Sequence, residues 1–138
     1  MKRVFSVLIV AISLLACNNH DVLLSSSIID FIQKEYSGAT IRNAEYDDDG
    51  FYEVEIRHNS YIKDVHFDKK DNWVYTTWDV RVSNLPEGVK SAVSKKYPGY
   101  RIDDVDFIES PEKSYYRIEI ENGGLEQTIY VSKEGNFN

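Results

Sequence analysis

The chain has 138 residues, with 23 acidic against 16 basic side chains, a net charge of −7 and a single cysteine. Such an acidic balance repels phosphate backbones and excludes nucleic acid as a partner. A lone cysteine excludes an internal disulfide, so the folded part must stand on its core, and the length suffices for one compact body burying about two-thirds of its unfolded surface.

Met1-Lys2-Arg3 followed by an uncharged run from Val4 to Ala16 reads as the positive and apolar regions of an export signal. The run is too short for a permanent membrane helix. Leu14-Leu15-Ala16-Cys17 resembles the lipobox of bacterial lipoprotein precursors, in which the cysteine is lipidated and becomes the new N-terminus. The expectation is a signal peptide over 1–16, lipidation at Cys17 and a polar tether over 17–24. The product would be exported to the cell envelope and anchored by its N-terminal lipid to a membrane facing the periplasm or the cell surface.

Next comes an amphipathic helix near 25–36, with Ile28, Phe31, Ile32 and Tyr36 on one stripe and Ser27 and Asp30 placed as a capping box. Ser37-Gly38 ends it. Three strands follow, the clearest being Tyr52-Glu-Val-Glu-Ile-Arg57, whose period-two alternation gives one apolar and one charged face. Asp47-Asp48-Asp49-Gly50 lies between the first two strands as hairpin chemistry. Three clustered carboxylates also suggest calcium, but the distal glutamate and spacing of a calcium loop are absent, so the turn reading is preferred. Residues 73–80 make a fourth strand.

The order then repeats. Shifted by 61, Ile28, Tyr36, Gly38, Ile41 and Ala44 fall on Val89, Tyr97, Gly99, Ile102 and Val105. Beyond the first hairpin the shift is 64, which lays Val54, Ile56, Val65, Phe67 and Trp73 on Ile118, Ile120, Ile129, Val131 and Phe137. The change falls in a turn, where insertions cost least. The second copy has a helix near 86–97 with Pro86 early in its first turn, strands around Tyr116-Arg-Ile-Glu-Ile-Glu121, an Asn122-Gly123-Gly124 turn, and at most a stub of a fourth strand at Phe137-Asn138. The fold class is therefore α+β: two tandem repeats, 25–80 and 85–138, each a short helix packed on an antiparallel meander of three to four strands.

A helix ending in Tyr97-Pro98-Gly99 (Tyr36-Ser37-Gly38 in the first copy), then Tyr-x-Val-x-Ile, then Asn followed by an aromatic, resembles the PepSY-like, β-lactamase-inhibitor-like domain of secreted proteins and lipoproteins of the Bacteroides group. The resemblance spans nearly all of 25–138. It implies an architecture similar to the tandem-repeat β-lactamase inhibitory proteins, whose sheets form a concave protein-binding face. Those inhibitors carry disulfides, which this chain cannot form, and no inhibitory loop carries over residue by residue.

Alternation turns Tyr52, Val54 and Ile56 toward the helix and Phe51, Glu53, Glu55 and Arg57 away from it, with Tyr115, Arg117, Glu119 and Glu121 equivalent in the second copy. His66 and Tyr130 also point away, while Tyr75 and Trp78 lie on opposite faces of one strand. The candidate binding surface is thus Phe51, Arg57, His66, Trp78, Tyr115, Arg117 and Tyr130, aromatics and arginines of the kind that dominate interface energetics. The same aromatics could instead serve as cross-strand cover or pack where the copies meet.

No catalytic or metal-binding set stands out. Ser25, Ser26 and Ser27 suit helix capping, His20, His58 and His66 lack ligand spacing, and no phosphate loop or dinucleotide fingerprint occurs, so neither a cofactor nor an enzymatic activity is expected. The expected function is a non-catalytic envelope lipoprotein acting as a binding or inhibitor-like module for a protein or peptide partner through the exposed sheet face. The alternative is a small-ligand or glycan binding protein of the envelope.

Overall fold

The computed structural model describes residues 23–46 and 50–138. The export signal, the lipidation of Cys17, most of the tether and the Asp47-Asp48-Asp49 turn lie outside the described residues. The elements in chain order are α1 (Ser26–Glu35), β1 (Thr40–Tyr46), β2 (Tyr52–His58), β3 (Tyr61–Phe67), β4 (Trp73–Asp79), a short 3₁₀ turn (Val82–Asn84), α2 (Glu87–Lys96), β5 (Arg101–Glu109), β6 (Ser114–Asn122) and β7 (Leu125–Ser132). The strands form one antiparallel sheet in the order β1-β2-β3-β4-β5-β6-β7. The fold is α+β with a helix for each half, as the repeat predicts.

Local chemistry explains the helix ends, with two corrections. The cap of α1 is Ser25, whose Oγ accepts from the Ile28 amide at 3.3 Å; Ser27 lies inside the helix and its hydroxyl donates to Asp71, so the expected Ser27/Asp30 capping box is not used. Pro86 is the cap residue of α2 and precedes its first turn, where Glu87 meets the positive helix end while Lys95 and Lys96 meet the negative one. Both helices close alike, with the Tyr36 and Tyr97 amides donating back to Ile32 and Val93.

The duplication reaches beyond the apolar positions. Each first strand carries a bulge at the equivalent place, between Ile41 and Asn43 and between Ile102 and Asp104. The turn after each third strand is built alike: the Asp68 and Ser132 amides donate to the carbonyls of Asn72 and Asn136, while the side chains of Asp68 and Ser132 accept from backbone amides of their own turns. Phe137 bridges to Val131, so the expected stub is present as a single bridge.

Both helices pack on the same face of the sheet. Ile28, Ile32 and Tyr36 of α1 bury Val54, Ile56, Val65 and Phe67. Val89 and Val93 of α2 bury Val105, Phe107, Ile118, Ile120, Ile129 and Val131, with Val80 and Leu85 of the connection closing the end. These two apolar clusters are the main stabilising term, at roughly 1.5–3 kcal/mol for each fully buried aliphatic or phenyl side chain.

At the seam a short ladder from Thr76↔Glu109 to Asp79↔Asp106 joins β4 to β5. Thr76, fully buried, sits within 2.7 Å of the Tyr36 hydroxyl and accepts from the Trp73 indole at 2.9 Å. Beside the seam Lys63 is buried, with its ammonium 3.6 Å from the Trp78 ring centre; burial pushes that ammonium below its ordinary range.

Candidate functional site

With both helices on one face, no described element covers the other face of the seven-stranded sheet. Strand alternation fixes what it shows: side chains opposite in phase to Val54, Val65, Thr76, Val105, Ile118 and Ile129. Adjacent-strand pairing arranges them in rows. One row runs Glu45, Glu53, His66, Tyr75 across β1 to β4. Another runs Glu55, Asp64, Thr77, Ile108, Tyr115, Ser132 across β2 to β7. A third runs Asp79, Asp106, Arg117, Tyr130 across β4 to β7.

Aromatic groups punctuate this acidic surface. Tyr115 and Tyr130 meet edge to face with ring centres 5.9 Å apart, and Tyr130 is 43% exposed. In the first repeat His66 stacks on Tyr75 at 4.1 Å and lies 3.7 Å from a Glu53 carboxylate oxygen. Three arginines are set against carboxylates: Arg42 on Glu55 at 3.1 Å, Arg117 on Asp106 at 3.0 Å and Arg101 on Glu121 at 2.6 Å. Burial, and then the neighbouring Glu53 and Glu55, hold the Asp64 carboxyl above its ordinary range.

The seven residues singled out from the sequence do not form one patch. Tyr115, Arg117 and Tyr130 come together on β6 and β7, Arg117 standing opposite Tyr130. Arg57 is on the open face near the other end of the sheet, opposite Ile62. Phe51 precedes β2 and is half-buried. His66 faces the open side as alternation predicts, but it is only 6% exposed and serves the surface through Tyr75.

Trp78 is a correction. It lies on the helix-bearing face, 4.8 Å from Phe107 and packed against the second core, while Tyr75 takes the open side. The reason is a bulge after Trp73: Phe67 pairs with Trp73 but His66 pairs with Tyr75, so the phase of β4 inverts. Sequence reading also missed Ile62, Ile108 and the facing of carboxylates across strands, because facing depends on register.

On the helix side, where the repeats meet, Tyr61, Trp78, Phe107, Tyr116 and Lys133 line an open cleft of about 300 Å³. Among the described residues no three His, Cys, Asp or Glu side chains converge as metal ligands, and no helix is long and apolar enough to cross a membrane.

Comparison with known proteins agrees with this geometry. The chain is similar in structure to a BLIP-like protein from Bacteroides fragilis, at 27% identity and a TM-score of 0.70 over 83% of this chain and 82% of that one. It is also similar to DUF2874 family proteins from Bacteroides uniformis (20% identity, TM-score 0.68, 83% and 86% covered) and Bacteroides ovatus (22% identity, TM-score 0.69, 81% and 82% covered). No curated protein matches the chain. The family described as "Putative beta-lactamase-inhibitor-like, PepSY-like" matches it over residues 18–63 and over residues 50–138. Two overlapping matches that together run from before α1 to the end of the chain, and solved structures of the same architecture, have one conclusion: the chain belongs to the PepSY-like, β-lactamase-inhibitor-like family.

Proposed function

We propose that this protein is a non-catalytic module of the cell envelope, tethered by a lipid on Cys17, that binds a protein or peptide partner through the open face of its sheet. The observation that supports this most is the division of labour between the two faces. The fully buried side chains of the sheet are on the helix side, while the open side spreads Tyr115, Tyr130, Tyr75, Ile62 and Ile108 among charges over seven strands. A broad, shallow surface with aromatic anchors and a polar surround is the composition of a macromolecular interface. Capture from native envelope extracts tests it: wild type retains a partner that the Tyr115→Ala/Tyr130→Ala variant loses, and identical capture by both would refute the surface. Detergent phase partition of wild type against Cys17→Ala tests the anchor, and an aqueous wild type would refute it.

One observation favours a second reading, a small-ligand or glycan carrier. Its place would be the helix-side cleft, whose rings come from both repeats, because concave aromatic-lined space suits a compact ligand. The discriminating result is binding of a small ligand or glycan that survives Tyr115→Ala/Tyr130→Ala and is lost in Tyr61→Ala.

A further inference from the structure

The register of the sheet carries more than its composition. Of the six strand pairings, all but β3–β4 set one open-face carboxylate directly opposite another: Glu45 against Glu53, Glu55 against Asp64, Asp79 against Asp106, Asp104 against Glu119, and Glu121 against Glu126. Like charges in directly opposed positions destabilise a sheet. The nearby arginines on Glu55, Asp106 and Glu121 temper the repulsion, while Asp64 holds its proton more tightly than an ordinary carboxyl, first through burial and then through Glu53 and Glu55. A fold that needed only a solvated outer face would meet that need with alternating signs. Here the acidic pairs recur in both repeats, and the apolar contacts Ile62, Ile108, Tyr115 and Tyr130 stand between them.

We propose that the open face recognises a cationic segment of a partner protein, one that presents lysine or arginine beside an apolar or aromatic side chain. The cations would sit between the facing carboxylates, and the apolar group would lie on Ile108 or on the Tyr115–Tyr130 pair. This rests on the reading of the open face as the binding surface, and it adds the chemistry of the partner. Complementary charge raises the rate of encounter and excludes acidic competitors, so salt weakens the complex mainly through association.

The test is selection of a random-peptide library on the full-length protein, with winners measured against wild type, a Glu55→Gln/Asp64→Asn variant and the Tyr115→Ala/Tyr130→Ala variant. The expected winners carry an excess of lysine and arginine. They lose about tenfold or more in affinity on the amide variant, although that variant unfolds at no lower temperature than wild type, which separates lost recognition from lost structure. Winners without excess positive charge, or undiminished binding to the amide variant, would overturn the proposal. If such winners still lose affinity on the tyrosine variant, the open face stands as a binding surface of different chemistry; if neither variant weakens them, both readings fall.

Discussion

A phenol buried at the end of α1 holds the first repeat to the seam. The Tyr36 hydroxyl lies 2.7 Å from Thr76, whose oxygen also accepts from Trp73, and burial first of all pushes its pKa up to about 12. Tyr52 is likewise pushed up to about 12, chiefly by its hydrogen bond with Tyr46. Since both phenols ordinarily ionise near 10, the unfolded chain gives up these protons before the folded one. Their contribution to stability is therefore complete below about pH 10 and is lost as pH rises from there toward 12. A phenolate absorbance titration is expected to show Tyr36 and Tyr52 among the late-titrating tyrosines, with Tyr36→Phe removing one of them and costing about 1–2 kcal/mol of stability through the lost hydrogen bond. Ionisation of all tyrosines near pH 10 in the folded protein would contradict the assignment. Asp64 is predicted to behave in the opposite sense to a salt-bridged carboxylate. Its raised folded pKa means that it favours the native state only in acid, and this contribution disappears as pH rises through its own titration. Asp64→Asn should accordingly stabilise the protein at neutral pH by about 0.2–1 kcal/mol, the range for a relieved like-charge cross-strand pair. It should change thermal stability little near pH 3.

The turns and strands show how far a sequence alone reaches. Helix spacing, the alternation of β2 and β6 and the shift of 61 and then 64 residues all report side-chain periodicity, and periodicity is set locally. So the helices fall within a residue of their expected bounds, and the outward phase of Tyr115, Arg117 and Tyr130 is as read. What depends on a neighbour strand was illegible: the bulge that turns Tyr75 out and Trp78 in, and the opposition of Glu55 to Asp64. A single inserted residue inverts every later side chain, and no local pattern announces it. The duplicated turn after the third strand also carries a test. Gly135 occupies the position of Asp71, both with positive φ, but a Cβ on Gly135 would stand 3.1 Å from the Gly88 carbonyl oxygen of α2. The turn is pressed onto the helix there, so Gly135→Ala combines a left-handed backbone penalty with a close contact. A loss of about 1–3 kcal/mol is expected in denaturant unfolding; an unchanged midpoint would mean that turn and helix do not meet.

At the scale of the whole molecule, two copies of one unit are fused through their sheet edges, and the consequence is a single uninterrupted face. Joining β4 to β5 removes two strand edges that would otherwise invite association and lets the two helices cover one side together. The seam also explains why Trp78 belongs to structure: it lies between Lys63 of the first repeat and Phe107 of the second. The opposite side then has the breadth of both meanders, its carboxylates and tyrosines set at the fixed spacing of adjacent strands. The most direct test of this account is a hydroxyl-radical footprint of the protein with and without the partner captured from its native envelope. Protection of Tyr115, Tyr130 and Ile62, with the outer surfaces of α1 and α2 unchanged, is the predicted result. Protection confined to the helices, with the open face as reactive as in the isolated protein, would contradict it.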